Sequence, residues 1–196
     1  MVPTVAPRAG ILGRLRHETR TAHRLLELRL DLLNPSFTRA DYESLLLGFY
    51  SIHCGWQSCA DRVLGPSLGY IGKERCHLHR LLRDLECLGL PTNCHCMDFS
   101  DIYTVPAALG CMYVLEGSTL GSQILSRSFN ERFGFSDHNG GAFFYGYGEL
   151  TGSMWKRFGT DLENWFAKHE SSGDEMVAGA DWMFRKAAEQ LTGEKA

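Results

Sequence analysis

The sequence predicts an all-α, single-domain protein, and three observations carry that prediction. Apolar residues recur at spacings of three and four along almost the whole chain, as one face of a helix requires. No stretch alternates between apolar and polar for long enough to make a strand. The 196 residues contain no internal repeat and no low-complexity linker that would mark a second domain. With 44% hydrophobic and 11% aromatic residues, the chain has the material for one full core. The expectation is six or seven helices in a domain over 12–192, with a flexible stretch at 1–11 and a short tail at 193–196.

Each helix has its own signals. The first runs from Leu12 to Leu33, with residues 12, 15, 19, 22, 26, 30 and 33 along its apolar face, all of them apolar but Thr19, and "NPS" ends it. Thr38 with Asp41 three residues later reads as a capping box, opening a second helix that continues to Leu64. "GPSLGYIG" breaks the chain, "KERCHLHRLLRDLECLG" forms a third helix, and "LPTNCHCMDFSD" is a loop. A long helix follows from Ile102 to Phe133, with Pro106 tolerated near its start and Gly134 just past its end. "SDHNGGAFFYGYG" is a glycine- and aromatic-rich connection. Two more helices cover Glu149–His169 and Asp174–Leu191, with Asp174 as the cap of the last. "NWF" and "DWMF" within them read as core aromatics.

Composition excludes several roles. The net charge of −3, with both signs mixed along the chain, leaves no basic face for a nucleic acid. No apolar run approaches the length of a membrane span, and the first residues lack a signal core, so a cytoplasmic protein is expected. The seven cysteines are then expected to be reduced thiols, some buried as small hydrophobes. Cys76, His77, His79, Cys94, His95 and Cys96 suggest zinc, but Cys94-x-Cys96 is tighter than a zinc turn. An exposed helix and loop that happen to be rich in His and Cys is the simpler reading.

Chemistry enters at "LRHETRTAHRLLE". Arg16, Arg20, His23 and Glu27 fall within a stripe about 60° wide, and His23 sits where that stripe meets the apolar one. Glu27, four residues on, is placed to fix the tautomer of the imidazole and leave its other nitrogen free as a ligand. The second motif is "YVLEGSTLGSQILSR". Gly117 and Gly121 lie inside a helix and share one face with Gly110, although each costs roughly 1 kcal/mol against alanine. A lone histidine at a helix border is ordinarily structural, and a glycine stripe ordinarily marks close helix contact. Together they describe more: a nitrogen flanked by cations, and bare backbone for something large and flat. Haem fits, since its iron takes an imidazole, its propionates want Arg or Lys, and its ring needs a flat neighbour.

These two motifs resemble those of the heme oxygenase family. "LRHETRTAHRLLE" resembles the proximal-helix motif, with His23 in the place of the iron ligand. "YVLEGSTLGSQILSR" resembles the distal-helix motif of the bacterial branch. "FFYGYGELTGSMWKRF" is similar to a further block of members that accompany bacterial phytochromes. The resemblance runs from Leu12 to Leu191, and it implies a helical fold that sandwiches haem between its first helix and the glycine-rich helix. Haem is then both cofactor and substrate, opened by O2 and electrons to biliverdin, CO and ferrous iron. A haem-storage protein of the same fold is the alternative, and a helical protein serving another small molecule is a third.

By resemblance, His23 binds iron and Glu27 supports it, while Arg16 and Arg20 meet the propionates. Tyr113, Gly117 and Gly121 line the distal side. Ser118 stands where animal members carry an aspartate, which leaves proton delivery to backbone-held water or a polar neighbour. The family's propionate arginine on the next helix falls near Thr160, where Lys156 or Arg157 substitutes. Ferredoxin, flavodoxin or an NAD(P)H-dependent reductase is the implied external electron donor, and a bacteriophytochrome is a possible recipient of biliverdin.

Overall fold

The computed structural model describes residues 10–65 and 75–193. The chain break expected at "GPSLGYIG", the flexible start and the C-terminal tail lie almost wholly outside the described residues. Within them are eight α-helices and two 3-10 turns, with no strand. They are α1 (Ile11–Glu18), α2 (Arg20–Leu30), α3 (Arg39–Val63), α4 (Leu78–Cys87), α5 (Val105–Phe133), α6 (Ala142–Tyr145), α7 (Thr151–Phe166) and α8 (Gly173–Thr192). The all-α expectation is met.

The expected first helix over 12–33 is two helices joined at a bend. Thr19 is buried, and its hydroxyl donates to the Leu15 carbonyl at 2.8 Å. Such back-bonding competes with the helix ladder and bends it. The second half ends at Leu30, because Asp31 takes a left-handed conformation with φ 36°. The other end of this unit is pinned from a distance. The Glu163 carboxylate accepts from the backbone N–H groups of Ile11 and Leu12, both at 3.0 Å, and so caps α1.

The capping box at Thr38 and Asp41 forms as expected and opens α3. The long helix starts at Val105, three residues later than expected, because Thr104 caps it; Gly134 ends it with φ 73°. Its core neighbour is α8. A Cβ on Gly110 would run into the Met176 carbonyl oxygen, and one on Gly179 would run into that of Ala107. The paired glycines let the two backbones touch. Asp174 does not cap α8 as expected: Ser172 holds the cap position, and Asp174 pairs instead with Arg14 on α1.

Two cores result. One joins α1, α3, α5, α7 and α8, and includes Leu15, Ile52, Leu109, Phe158, Met183 and the Trp182 and Phe184 aromatics. The second is an aromatic cluster of Tyr42, Phe129, Phe135, Phe143 and Phe144 with Leu81 and Leu85. The aromatic connection between α5 and α7 is therefore structured, and contains α6. Asp84 holds it by accepting from the N–H groups of Ala142 and Phe143 at 2.8 and 2.7 Å.

The cysteines depart from expectation. Cys54 and Cys96 form a disulfide, their Cα atoms 5.3 Å apart. Nor is the His/Cys segment simply exposed. His77 is buried at 3% exposure, drawn in by a buried carboxylate that sequence spacing does not reveal.

Candidate functional site

The site begins at the bend. Tyr113 on α5 lies beside Thr19 and Arg16, at the junction of α1 and α2. Burial pushes the Tyr113 phenol up, opposed by Thr19 and by the Arg16 charge nearby. From this contact, one helical turn along α2 reaches His23 and one turn along α5 reaches Gly117.

Beyond it, α2 rests on α8 and has no buried residue of its own. The His23 side chain is 56% exposed, with its ring edge-on to Phe184 of α8 at 5.6 Å. Its Nε2 stands 3.6 Å from Glu27 Oε1, close enough for charge attraction and too long for a hydrogen bond. Arg16, in the last turn of α1, and Arg20, the first residue of α2, are both exposed, on either side of the bend rather than on one continuous stripe.

The glycine stripe divides into two parts with different uses. Gly110 is filled by α8, as described. Ahead of Gly117 the nearest atoms are those of the Trp155 ring, 3.8 Å from where a Cβ would lie, and ahead of Gly121 nothing lies within 4 Å. Leu120 and Ile124 share that face and stand 46% and 65% exposed. So α5 presents apolar surface with two missing side chains, and no element of the described residues packs over Gly121. Sequence reading missed Leu120 and Ile124, although their spacing from Gly117 and Gly121 was there to be used.

Trp155 also borders a groove of about 400 Å³ between α1 and α7, lined by Leu12, Lys156, Gly159, Thr160 and Glu163. Lys156 lines that groove next to Trp155, and both Lys156 and Arg157 are exposed on α7. Ser118 is exposed, but its hydroxyl donates to the Leu115 carbonyl at 2.7 Å. That proton is committed to the helix.

Behind the open face lies a buried polar cluster that sequence reading also missed. Glu116, next to Gly117, receives Arg75 Nη1 at 2.5 Å and the Tyr147 hydroxyl at 3.0 Å. His77 Nε2 faces it at 3.5 Å. Arg80 Nη1 donates to His77 Nδ1 at 2.7 Å, and since arginine only donates, the imidazole proton sits on Nε2. His53 stacks edge-on to His77 at 5.9 Å. Burial, then the nearby His77, pushes His53 down to about 3, so it is neutral. The Nε2 atoms of both histidines are buried without a hydrogen-bond partner among the described residues. Tyr147 is pushed up, by burial and then by the Glu116 charge.

An exposed imidazole, exposed arginines and an apolar face with space for a flat molecule fit haem. Comparison with solved structures bears on the frame that holds them. Heme oxygenase 2 from Chlamydomonas reinhardtii, solved without heme, superposes with a TM-score of 0.76 at 18% identity, covering 93% of this chain and 96% of that one. The heme oxygenase from Leptospira interrogans gives 0.78 at 16%, over 95% of this chain and 100% of that one. NO- and CO-bound heme oxygenase from Neisseria meningitidis gives 0.72 at 20%, over 95% and 94%. No protein-family model matches the sequence, and no curated protein matches it. At these identities the likeness defines the fold: the chain folds as heme oxygenases do, over nearly its whole length. Among the described residues, no helix is long and apolar enough to cross a membrane.

Proposed function

We propose that the protein is a heme oxygenase, converting haem to biliverdin, CO and ferrous iron with O2 and electrons from an external donor. The observation that carries this reading is the uncovered face of α5 at Gly117 and Gly121, on a fold whose exposed imidazole His23 stands against Phe184. When bound, haem supplies both the iron that activates O2 and the porphyrin that is oxidised.

The chain's own residues do the rest. A ring nitrogen of His23 would hold the iron, and Phe184, edge-on to the imidazole, limits its rotation. Glu27 lies beside it and favours the charge that builds on a ligating imidazole. Arg16 on α1 and Arg20 on α2, with Lys156 and Arg157 on α7, would offer cations to the propionates and so bias how the ring sits. Gly117 and Gly121 would admit the ring close to the helix and leave little room above it, a positional constraint on where O2 could lie. Leu120 and Ile124 exclude water from the ring. Glu116, tied to Arg75 and Tyr147, fixes the rotation of α5 so that the glycines stay aimed outward. Ser118 has its hydroxyl proton engaged with the Leu115 carbonyl, so water held at the backbone of Gly117 and Gly121 would be the proton source at the open face.

The electron donor on this reading is a ferredoxin, a flavodoxin or an NAD(P)H-dependent reductase. A bacteriophytochrome is a candidate recipient of the product. The test is a haem titration followed by ascorbate or a reductase in air. A Soret band that then decays as biliverdin absorption grows supports the oxygenase. A Soret band that persists indicates haem storage, and failure to bind haem overturns the reading.

A further inference from the structure

We propose that Cys54, Cys94 and Cys96 form a reversible thiol–disulfide clamp, a modification site for small thiols of the glutathione class. The segment 92–97 runs alongside one turn of α3. The Tyr50 hydroxyl donates to the Thr92 carbonyl at 2.6 Å, and Met97 N–H donates to the Ser51 carbonyl at 2.9 Å. Within this segment Cys96 is joined to Cys54, on the next turn of α3, across a separation of 42 residues. Gly55 makes the approach possible, since a Cβ there would collide with the Met97 carbonyl oxygen.

Three features separate this disulfide from a permanent tie. Both of its cysteines are half-buried, at the edge of the core rather than sealed inside it. Hydrogen bonds at both ends hold the segment near α3 when the S–S bond opens, so the two thiols stay within reach of each other and oxidised glutathione, taking back the two electrons, recloses the bond. Cys94 remains a free thiol two residues from Cys96, half-buried and packed on the same aromatic cluster as Cys54. By contrast Cys59 and Cys111 are buried and their thiols are pushed up by burial, which makes them inert.

The chemistry is thiol–disulfide exchange. One glutathione thiolate attacks the Cys96 sulfur, forming a mixed disulfide and releasing the Cys54 thiolate. A second glutathione thiolate attacks the glutathione sulfur of that mixed disulfide, releasing the Cys96 thiolate and oxidised glutathione. The two protons lost by the glutathiones are taken up by Cys54 and Cys96, and two electrons pass to the protein. Alternatively the Cys94 thiolate attacks Cys54, exchanging Cys54–Cys96 for Cys54–Cys94 without net oxidation. The clamp bears on the turn of α3 that carries His53, the residue before Cys54, and so on the edge of the buried cluster. None of this depends on haem.

The test is equilibration of the purified protein in glutathione redox buffers of graded ratio, acid quenching, alkylation and peptide mass mapping. Amide hydrogen exchange is followed in parallel. The expected result is a reversible passage from the Cys54–Cys96 disulfide to three alkylated thiols within the range of ratios. Reduction should bring on the order of tenfold faster amide exchange over 92–97 and little change in α8. Cys94→Ser should keep the disulfide but slow its exchange. Three alkylated thiols at every ratio would overturn the clamp, and so would a disulfide that resists every ratio. Wild-type exchange in Cys94→Ser would overturn the part assigned to that residue.

Discussion

His53 folds without a proton and gains one when the chain unfolds. Its pKa lies near 3 in the folded protein against an ordinary value near 6.5, because it is fully buried beside His77. Below pH 6.5 the unfolded chain binds the extra proton, so stability falls as pH drops from about 6.5 toward 3. At pH 5 the loss from this residue is about 2 kcal/mol. Urea melts at pH 7 and pH 5 check this: His53→Gln should lose about 2 kcal/mol less than the parent between the two. Equal losses would show that His53 carries its proton in the fold. Nothing in "FYSIHCGW" announces this burial, since a histidine inside an apolar periodic run looks the same whether it faces a core or a ligand. His23 is the opposite case, legible from its flanking Arg16, Arg20 and Glu27. His23→Ala should leave the melting temperature within a few degrees of the parent and abolish haem turnover, as read by circular dichroism and biliverdin absorption. Full turnover in that variant would move the iron ligand elsewhere, with the exposed His17 the nearest substitute.

Along α5 one glycine stripe serves two purposes, and the difference lies in what faces each position. Gly110 meets the backbone of α8, which cannot move aside, whereas Gly121 meets open space. Gly110→Ala should therefore destabilise the fold by 3 kcal/mol or more, on the order of the larger packing defects. Gly121→Leu should raise helix stability by a few tenths of a kcal/mol to about 1 kcal/mol and still impair haem binding. Denaturant melts and haem titrations on the two variants separate these effects. If Gly121→Leu binds and turns over haem like the parent, the open face is not where the ring sits. The period of the stripe was readable in "GCMYVLEGSTLG", but its division was not, because the partner of Gly110 lies near Met176 and Ala180, some seventy residues on. The bend at Thr19 was hidden for a similar reason. The apolar spacing continues through it, and only burial of the hydroxyl against Leu15 shows where the helix turns.

At the scale of the molecule, the helices were legible from local periodicity, while the buried charge that joins them was not. Glu116 sits in an apolar stretch of α5, and its partners are far away in sequence. Arg75 precedes α4, and Tyr147 follows α6. Arg75 also donates to the Met154 carbonyl of α7 at 3.2 Å and lies over the Phe158 ring at 5.2 Å. One ion pair, with side chains only 2% and 3% exposed, thus links α5, α7 and the segments before α4 and after α6. Taking both charges out of water costs much of what their attraction returns, so the pair contributes little to net stability. Removing one partner is another matter, since it strands the other charge in the interior. Glu116→Leu alone should cost about 3–5 kcal/mol, while Glu116→Leu combined with Arg75→Met should recover most of that loss. Urea denaturation of the parent, both single variants and the double variant gives the coupling energy directly. Losses in the double variant equal to the sum of the singles would show two independent residues, and the helices would then be held in register by apolar packing alone.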